Sequence, residues 1–447
     1  MKTEEMFGKG SVWKAIFHMS IPAVITMMVM VIYNMADMYF VSKTGEEMQI
    51  AAISLASPVY MLQTAVGTLV GGGACAAISN AFGTKNLELV KAISSACLIL
   101  LIAASVLIGG IILLFPDMIL TVLGVNADTW QYTKDYITVL AIGMIFMLFS
   151  NIFANVIRAE GAAKESMIGN GIGTILNILL DPVFILVLNM GVKGAVIATV
   201  MGNIAACVYY CIYIMKTDSE LVLSLKYAAK KPEAFVKVVT LGIPSAVSNL
   251  LNSLTGTISN HILIGYGANA VVAVSVGGKA PMIVSMVVMG ICLGVQPVIA
   301  YNYGAQKKER TKEVLQKTAV MALAAGLVLT IGCYFLRTAI TEMFLTDQSL
   351  IETSVHIMSI QLLTTTFLGL YYIGINFLQS AGNAAAATLL SLCRQGIVYV
   401  PVIFILNAIG GLEGVYWVNV VCDAVSILLA MVLLPGQMKK GFAADQA

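Results

Sequence analysis

Residues 15–41 read AIFHMSIPAVITMMVMVIYNMADMYFV. In these 27 positions there is no Lys, Arg or Glu, and His18 and Asp37 are the only His and Asp in an otherwise mostly apolar run. A helix crosses the hydrocarbon core of a bilayer with about 20 apolar residues. In lipid, only helices and closed barrels satisfy their own backbone groups. The run is too long for a barrel strand, so it predicts a transmembrane helix. The rest of the 447-residue chain repeats the pattern. Apolar runs at 50–81, 92–115, 135–158, 167–188, 194–215, 236–264, 271–301, 314–336, 351–379, 387–407 and 414–434 predict eleven more spans. The second and eighth runs exceed one simple crossing. Each carries glycines (Gly71, Gly72 and Gly73; Gly277 and Gly278), which predicts tilting or bending.

Composition agrees. The chain is 59% hydrophobic and 11% charged, where a soluble protein carries about 25% charged residues. Mean hydropathy is +0.92. These values exclude a soluble multidomain enzyme, a disordered chain and a secreted disulfide scaffold. They indicate an all-α integral membrane protein. A net charge of +2 gives no electrostatic case for nucleic acid. The eight cysteines all lie in apolar runs and read as small packing residues, not as metal ligands. The three histidines form no HExxH-type cluster. No cofactor and no enzyme activity are expected. The first residues, MKTEEMFGKGSVWK, lack the pattern of a cleaved signal peptide.

Lysine and arginine set the orientation. With the N-terminus inside, nineteen fall in inside segments and four (Lys43, Lys134, Lys193 and Arg337) outside. Both termini are therefore expected in the cytoplasm. The longest hydrophilic stretch is 216–237, KTDSELVLSLKYAAKKPEAFVK, near the midpoint. It divides the chain into an N-lobe at 1–215, a linker at 216–237 and a C-lobe at 238–447. The two halves are related. Ile21-Pro22 recurs as Ile243-Pro244, Pro58 as Pro281, Gly67 as Gly290, and Gly191-Val192-Lys193-Gly194 as Gly411-Leu412-Glu413-Gly414. Six spans per half is an even number, so both halves run the same way. The predicted fold is twelve helices in two six-helix lobes related by a parallel pseudo-two-fold repeat, an architecture suited to alternating access.

An ionisable group at membrane depth is costly and marks function by default. Three acids lie well within spans: Asp37, Asp181 and Asp423. Asp37 and Asp181 both fall in the outer half of outward-running helices. Asn177 precedes Asp181 by four residues and shares its face. Thr199, early in the next span, sits at similar depth, and Asn151 of the fourth span offers another oxygen. Two carboxylates with amide, hydroxyl and backbone oxygens suit a sodium ion. The same carboxylates, desolvated and mutually repelling, suit a proton. The second half matches Asp37 with Ser259, Asp181 with Val400 and Thr199 with Asn419, so the cation site is expected in the first half alone. Asp423 has Lys279 and Arg394 as possible partners, in an ion pair or a substrate cleft. Tyr33, Met282 and Met286 are candidate cleft residues, adaptable enough for varied ligands. Pro22, inside the first span, is a candidate hinge.

Several motifs in this order resemble the multidrug and toxic compound extrusion (MATE) family. They are IPAVITMMVMVIYNMADMYFVSKTG from residue 21, the NxxxDP motif at Asn177–Pro182, GVKGAVIAT at 191–199, GVQPVIAYNYGA at 294–305 and LLSLCRQGIVYVP at 389–401. The likeness covers nearly the whole chain and is nearest to the bacterial branch whose acids lie in the N-lobe. It implies secondary efflux of drug-like, often cationic compounds, driven by inward Na+ or H+. It matches Asp37, Asn177, Asp181 and Thr199 to the N-lobe cation site, Asn151 less closely, and Pro22 to the bending proline. It implies a multi-pass protein of the bacterial inner membrane, expected as a monomer in lipid. A flippase for a lipid-linked saccharide, from the same wider superfamily, is the alternative. It would need several cations facing a central cavity, and only Lys279 and Arg394 are embedded.

Overall fold

A computed structural model describes residues 3–42 and 47–443, without the side chains of residues 34–39, 41, 42, 47, 440, 441 and 443. Among these residues, ten helices are long and apolar enough to cross a bilayer. An eleventh crossing is a pair, Gln348–Thr365 and Leu368–Ser380, bent by 45°. One of the ten, Ala384–Lys439, is 56 residues long. At 1.5 Å per residue it would measure about 84 Å, far beyond one bilayer. Its chain breaks at Gly411, where φ is 57° and ψ is −138°. Only glycine reaches that conformation without a Cβ clash. The stretch is therefore two crossings, and the total is twelve.

The helices are α1 (Val12–Ser42), α2 (Glu47–Gly83), α3 (Leu87–Ala104, continued to Leu114), α4 (Ala127–Ala159), α5 (Ala163–Pro182) and α6 (Gly191–Lys216). In the second half they are α7 (Glu233–Gly265), α8 (Ala268–Gly277 and Lys279–Gly304), α9 (Lys308–Glu342) and α10 (the bent pair). There follow α11 (Ala384–Leu392 and on to Gly411) and α12 (412–443). Several begin earlier than their apolar runs, because polar caps extend them beyond the hydrocarbon. The side chains of Asn86, Asn126, Asp347 and Asn383 each accept a first-turn backbone N–H. The eighth run does break, at Gly278. The second is one continuous helix, α2, with Pro58 inside it, and Gly67, Gly71 and Gly73 lie at close contacts with neighbouring helices.

The helices form two compact units. One comprises Ile25–Gly242; the other joins Glu4–Val24 to the chain from Ile243 on. The packing boundary thus differs from the hydrophilic one at 216–237. Hydrophilicity marks where the chain leaves lipid, whereas the units are set by contact between helices. The start of α1 belongs with the second half and the start of α7 with the first. Pro22 and Pro244 each stand within two residues of the exchange. In the second unit, a π-helical turn at Glu4–Lys9 docks through buried Phe7, whose carbonyl accepts from Asn302 Nδ2 (3.1 Å) and Arg310 Nε (2.8 Å). A Cβ on Gly294 of α8 would lie 2.5 Å from the Met19 carbonyl of α1. In the first unit, a Cβ on Gly242 of α7 would lie 1.8 Å from the Leu69 carbonyl of α2. Lipid tails supply no hydrophobic drive between helices, so close backbone approach at small residues holds such crossings.

The inter-half segment packs onto the first unit. The Glu160 carboxylate, just past α4, accepts from Ser219 Oγ (2.8 Å), the Glu220 N–H (2.8 Å) and Tyr213 OH (3.4 Å). Lys91 pairs with Glu220 at 3.6 Å and Lys231 with Glu88 at 3.3 Å. Burial pushes the Glu160 carboxyl above its ordinary value of 4.5, outweighing the three donors that act to lower it. A carboxyl raised on folding stabilises the clasp fully below pH 4.5, and that contribution is lost as pH rises through the raised value. Glu160→Gln keeps an acceptor oxygen and cannot ionise. The 219–220 amides should lose exchange protection with rising pH in the parent and hold it in the variant. Identical protection profiles would remove the carboxylate from the clasp.

Candidate functional site

Every fourth residue along one face of α5 is buried: Gly169, Gly173, Asn177 and Asp181. The glycines set the distance to α6. A Cβ on Gly173 would fall 2.8 Å from the Gly202 carbonyl, and one on Gly202 would fall 2.4 Å from the Gly173 carbonyl. With two glycines opposed, the backbones nearly touch, and the next turn of α5 brings Asn177 against Thr199. Pro182 then ends the regular helix, and a π-helical turn, Val183–Val187, follows it. Such turns accommodate a missing backbone donor. Asp181 therefore sits where the helix stops being regular.

Asp181 has no exposed surface and Asn177 is 3% exposed. The Asn177 amide donates to Asp181 at 3.3 Å while its oxygen accepts from the Thr199 N–H at 3.0 Å, the orientation that satisfies both ends. Thr199 Oγ1 lies 3.3 Å from Tyr33 OH of α1 and also bonds the Ala195 carbonyl at 3.1 Å. The network continues along α6. Asn203 Nδ2 donates to the Thr199 carbonyl (2.8 Å), and Ser150 Oγ of α4 donates to Asn203 Oδ1 (2.6 Å). Asn177, Asp181 and Thr199 are thus brought together, and Tyr33 joins them. Beside Tyr33, α1 and α5 border an open cavity of about 400 Å3, lined by Thr26, Met30, Asn170 and Thr174 among others.

Three further candidates remain: Asn151, Asp37 and Pro22. Asn151 does not join the group. Its side chain packs against Gly67 of α2, where a Cβ would come within 2.9 Å of Oδ1, and that oxygen is buried with no hydrogen-bond partner among the described residues. One residue is about 100° of helical turn, and it is the neighbouring Ser150 that faces the network. Ser150 and Asn203 are the polar residues that the sequence reading passed over. The four-residue step from Thr199 to Asn203 was the available signal. Asp37 lies one turn beyond Tyr33 on α1, and its side chain is outside the described residues. Pro22 is inside α1, where it removes one backbone donor.

In the second unit, Asp423 of α12 pairs with Arg394, whose Nε donates to Oδ1 at 2.7 Å. Thr364 Oγ1 donates to the other carboxylate oxygen at 3.2 Å. Arg394 lies in a π-helical turn of α11, with its guanidinium 5.1 Å from the Tyr371 ring and 5.8 Å from Tyr372. Lys279 is not part of this pair. It is the exposed first residue after the break in α8. Met282 is exposed and Met286 half-buried. No group of three or more metal-ligating side chains occurs among the described residues.

Comparison with known proteins follows the same division into halves. The MatE family model matches twice, over residues 22–183 and 244–405, at the 222-residue offset that relates Pro22 to Pro244. The multidrug export protein MepA of Staphylococcus aureus (strain MRSA252) is 31% identical over 436 residues, covering 97% of this chain and 96% of the relative. The protein of the same name from Staphylococcus saprophyticus is 28% identical over 440 residues, covering 97% of this chain and 96% of its own. Among solved structures, an outward-facing multidrug resistance MATE family transporter of the MOP superfamily superposes with a TM-score of 0.93 at 23% identity, over 99% of both chains. A MATE crystal structure in the bent conformation gives 0.90 at 22% identity, over 100% of both. Two matched halves, a relative above 30% identity along almost the whole length, and the shared twelve-helix fold together mean that this chain belongs to the MatE (multidrug and toxic compound extrusion) family of membrane proteins.

Proposed function

We propose that the protein exports drug-like, often cationic compounds across the bacterial inner membrane in exchange for inward Na+ or H+. Both termini lie on the cytoplasmic side. The observation that carries this reading is the placement of Asp181: a carboxylate with no exposed surface, bonded by the Asn177 amide and set just before the irregular backbone after Pro182. Such a group tolerates burial best when a small cation or a proton occupies it. Asp37, one turn beyond Tyr33, supplies the second carboxylate. Asn177, Thr199 and Tyr33 connect the acid to the α1–α5 cavity, whose volume of about 400 Å3 suits part of a drug molecule. Loading the acid and filling the cavity then compete through α1, with Pro22 as the hinge. The cycle requires different affinities in its two states, not binding alone.

The flippase reading finds less support. It needs several cations facing a central cavity, and of the two embedded ones Arg394 is paired with Asp423. Proteoliposomes preloaded with a fluorescent organic cation test the proposal. An imposed inward Na+ gradient or pH gradient should accelerate export severalfold over no gradient. Equal rates under all three conditions would refute cation exchange.

A further inference from the structure

A second cavity, of about 630 Å3, lies at the end of α6 beneath the inter-half segment. Its walls are Ile214 and Met215, from the last turns of α6, with Val222 and Leu223. Its rim carries Lys226 and Lys230. The arch over it is fixed at both ends. Glu160 holds Ser219 and Glu220 on one side, Lys231 holds Glu88 on the other, and Ser95 Oγ donates to the Ser224 carbonyl between them. Leu221 and Ala228 are buried, so residues 222–227 are held as a loop between two anchors.

The charges around this arch are unevenly matched. Lys91 and Lys231 have carboxylate partners. Lys226 and Lys230 are exposed, and among the described residues neither has a carboxylate within ion-pair distance. The cavity therefore grades from an apolar wall, continuous with a membrane span that ends at Lys216, to a cationic rim. A free phosphate has no complement in the wall, and a neutral apolar ligand has none in the rim. An amphiphile with an acyl chain toward the span and an anionic head toward the loop matches both. Basic pockets beside the ends of spans take anionic headgroups for this reason.

We propose that this cavity binds an anionic phospholipid, with Lys226 and Lys230 on the headgroup phosphate and an acyl chain along Ile214 and Met215. The site lies apart from Asp181 and does not depend on which ion drives transport.

Native mass spectrometry of the purified full chain, exchanged into detergent with either phosphatidylglycerol or phosphatidylcholine, tests it. The chain should retain one phosphatidylglycerol and no phosphatidylcholine. Lys226→Gln/Lys230→Gln should weaken retention about 30-fold, and each single change about fivefold. A control of equal charge loss, Lys216→Gln/Lys237→Gln, removes exposed lysines that do not line the cavity and should retain lipid as the parent does. Should the double variant not fold, the single variants carry the test. Equal retention of the two lipids, equal loss in the control, or displacement of the lipid by millimolar inorganic phosphate would each overturn the site.

Discussion

Asp181→Asn should abolish cation-driven export while leaving the protein folded. Asparagine is nearly isosteric and retains an oxygen to accept from the Asn177 amide, which stands 3.3 Å away. What it removes is the charge. Asp181 has no exposed surface, so the ionised form is costly unless a cation shares the site. The amide resembles the acid in its loaded, neutral state and cannot unload. Coupling between two ligands is a free energy of about 1–3 kcal/mol, and losing it at the upper end costs about 100-fold in gradient-driven flux. Thermal stability should hold or rise, because a buried charge has gone. Drug binding at equilibrium should persist and become insensitive to Na+ and pH. Native export rates in this variant, under either gradient, would dismiss Asp181 as the coupling acid. Asn177→Ala should act in the same direction and less strongly, since it removes a neighbour and keeps the carboxylate.

The parts of this site differ in how far they can be read from the chain. Asn177 and Asp181 are four apart on one helix, so periodicity alone puts them on one face, and the short turn after Val187 returns Thr199 to a similar depth. The residues that bring those helices together were not legible. Gly173 and Gly202 are two of 39 glycines, and a missing side chain does not announce its neighbour. Asn151 shows a second limit. Its depth could be counted, but the helix rotation that turns Ser150 inward and sends Asn151 against Gly67 depends on packing with α2. The exchange of α1 and α7 between units shows a third. The apolar runs locate where helices cross the membrane, and the repeat shows that the halves correspond. Which half the first turns of α1 pack on is decided by Gly290 and Gly294 of α8, some 270 residues away. The two cations that remained ambiguous in sequence separate once side chains are placed: Arg394 reaches Asp423, whereas Lys279 starts a helix at an exposed break.

Breaking the Arg394–Asp423 pair from one side should destabilise the protein, and removing both members should restore it. The pair joins α11 to α12, and Thr364 ties it to α10 just before the bend at residues 366–367, with Tyr371 just after. The Asp423 side chain is 8% exposed and that of Arg394 is 19% exposed. Asp423→Ala leaves a guanidinium beside two tyrosine rings without its carboxylate, and Arg394→Met leaves a carboxylate with the Thr364 hydroxyl. Loss of one partner from a buried pair costs about 3–5 kcal/mol, whereas replacing both by apolar residues of similar volume is often neutral. Asp423→Ala should be the milder of the two, because a long arginine side chain can reach toward the membrane surface and a short carboxylate cannot. Arg394→Met/Asp423→Leu should recover most of the thermal stability, with the Thr364 hydroxyl turning to a carbonyl of its own helix. Transport then separates a structural pair from a working one. The double variant should export at close to the parent rate, since Asp181, the carboxylate proposed for coupling, lies in the first unit and keeps its Asn177 partner. A double variant that melts like the parent and exports nothing would instead place this ion pair in the transport cycle, and would require the second unit to contribute charge to it.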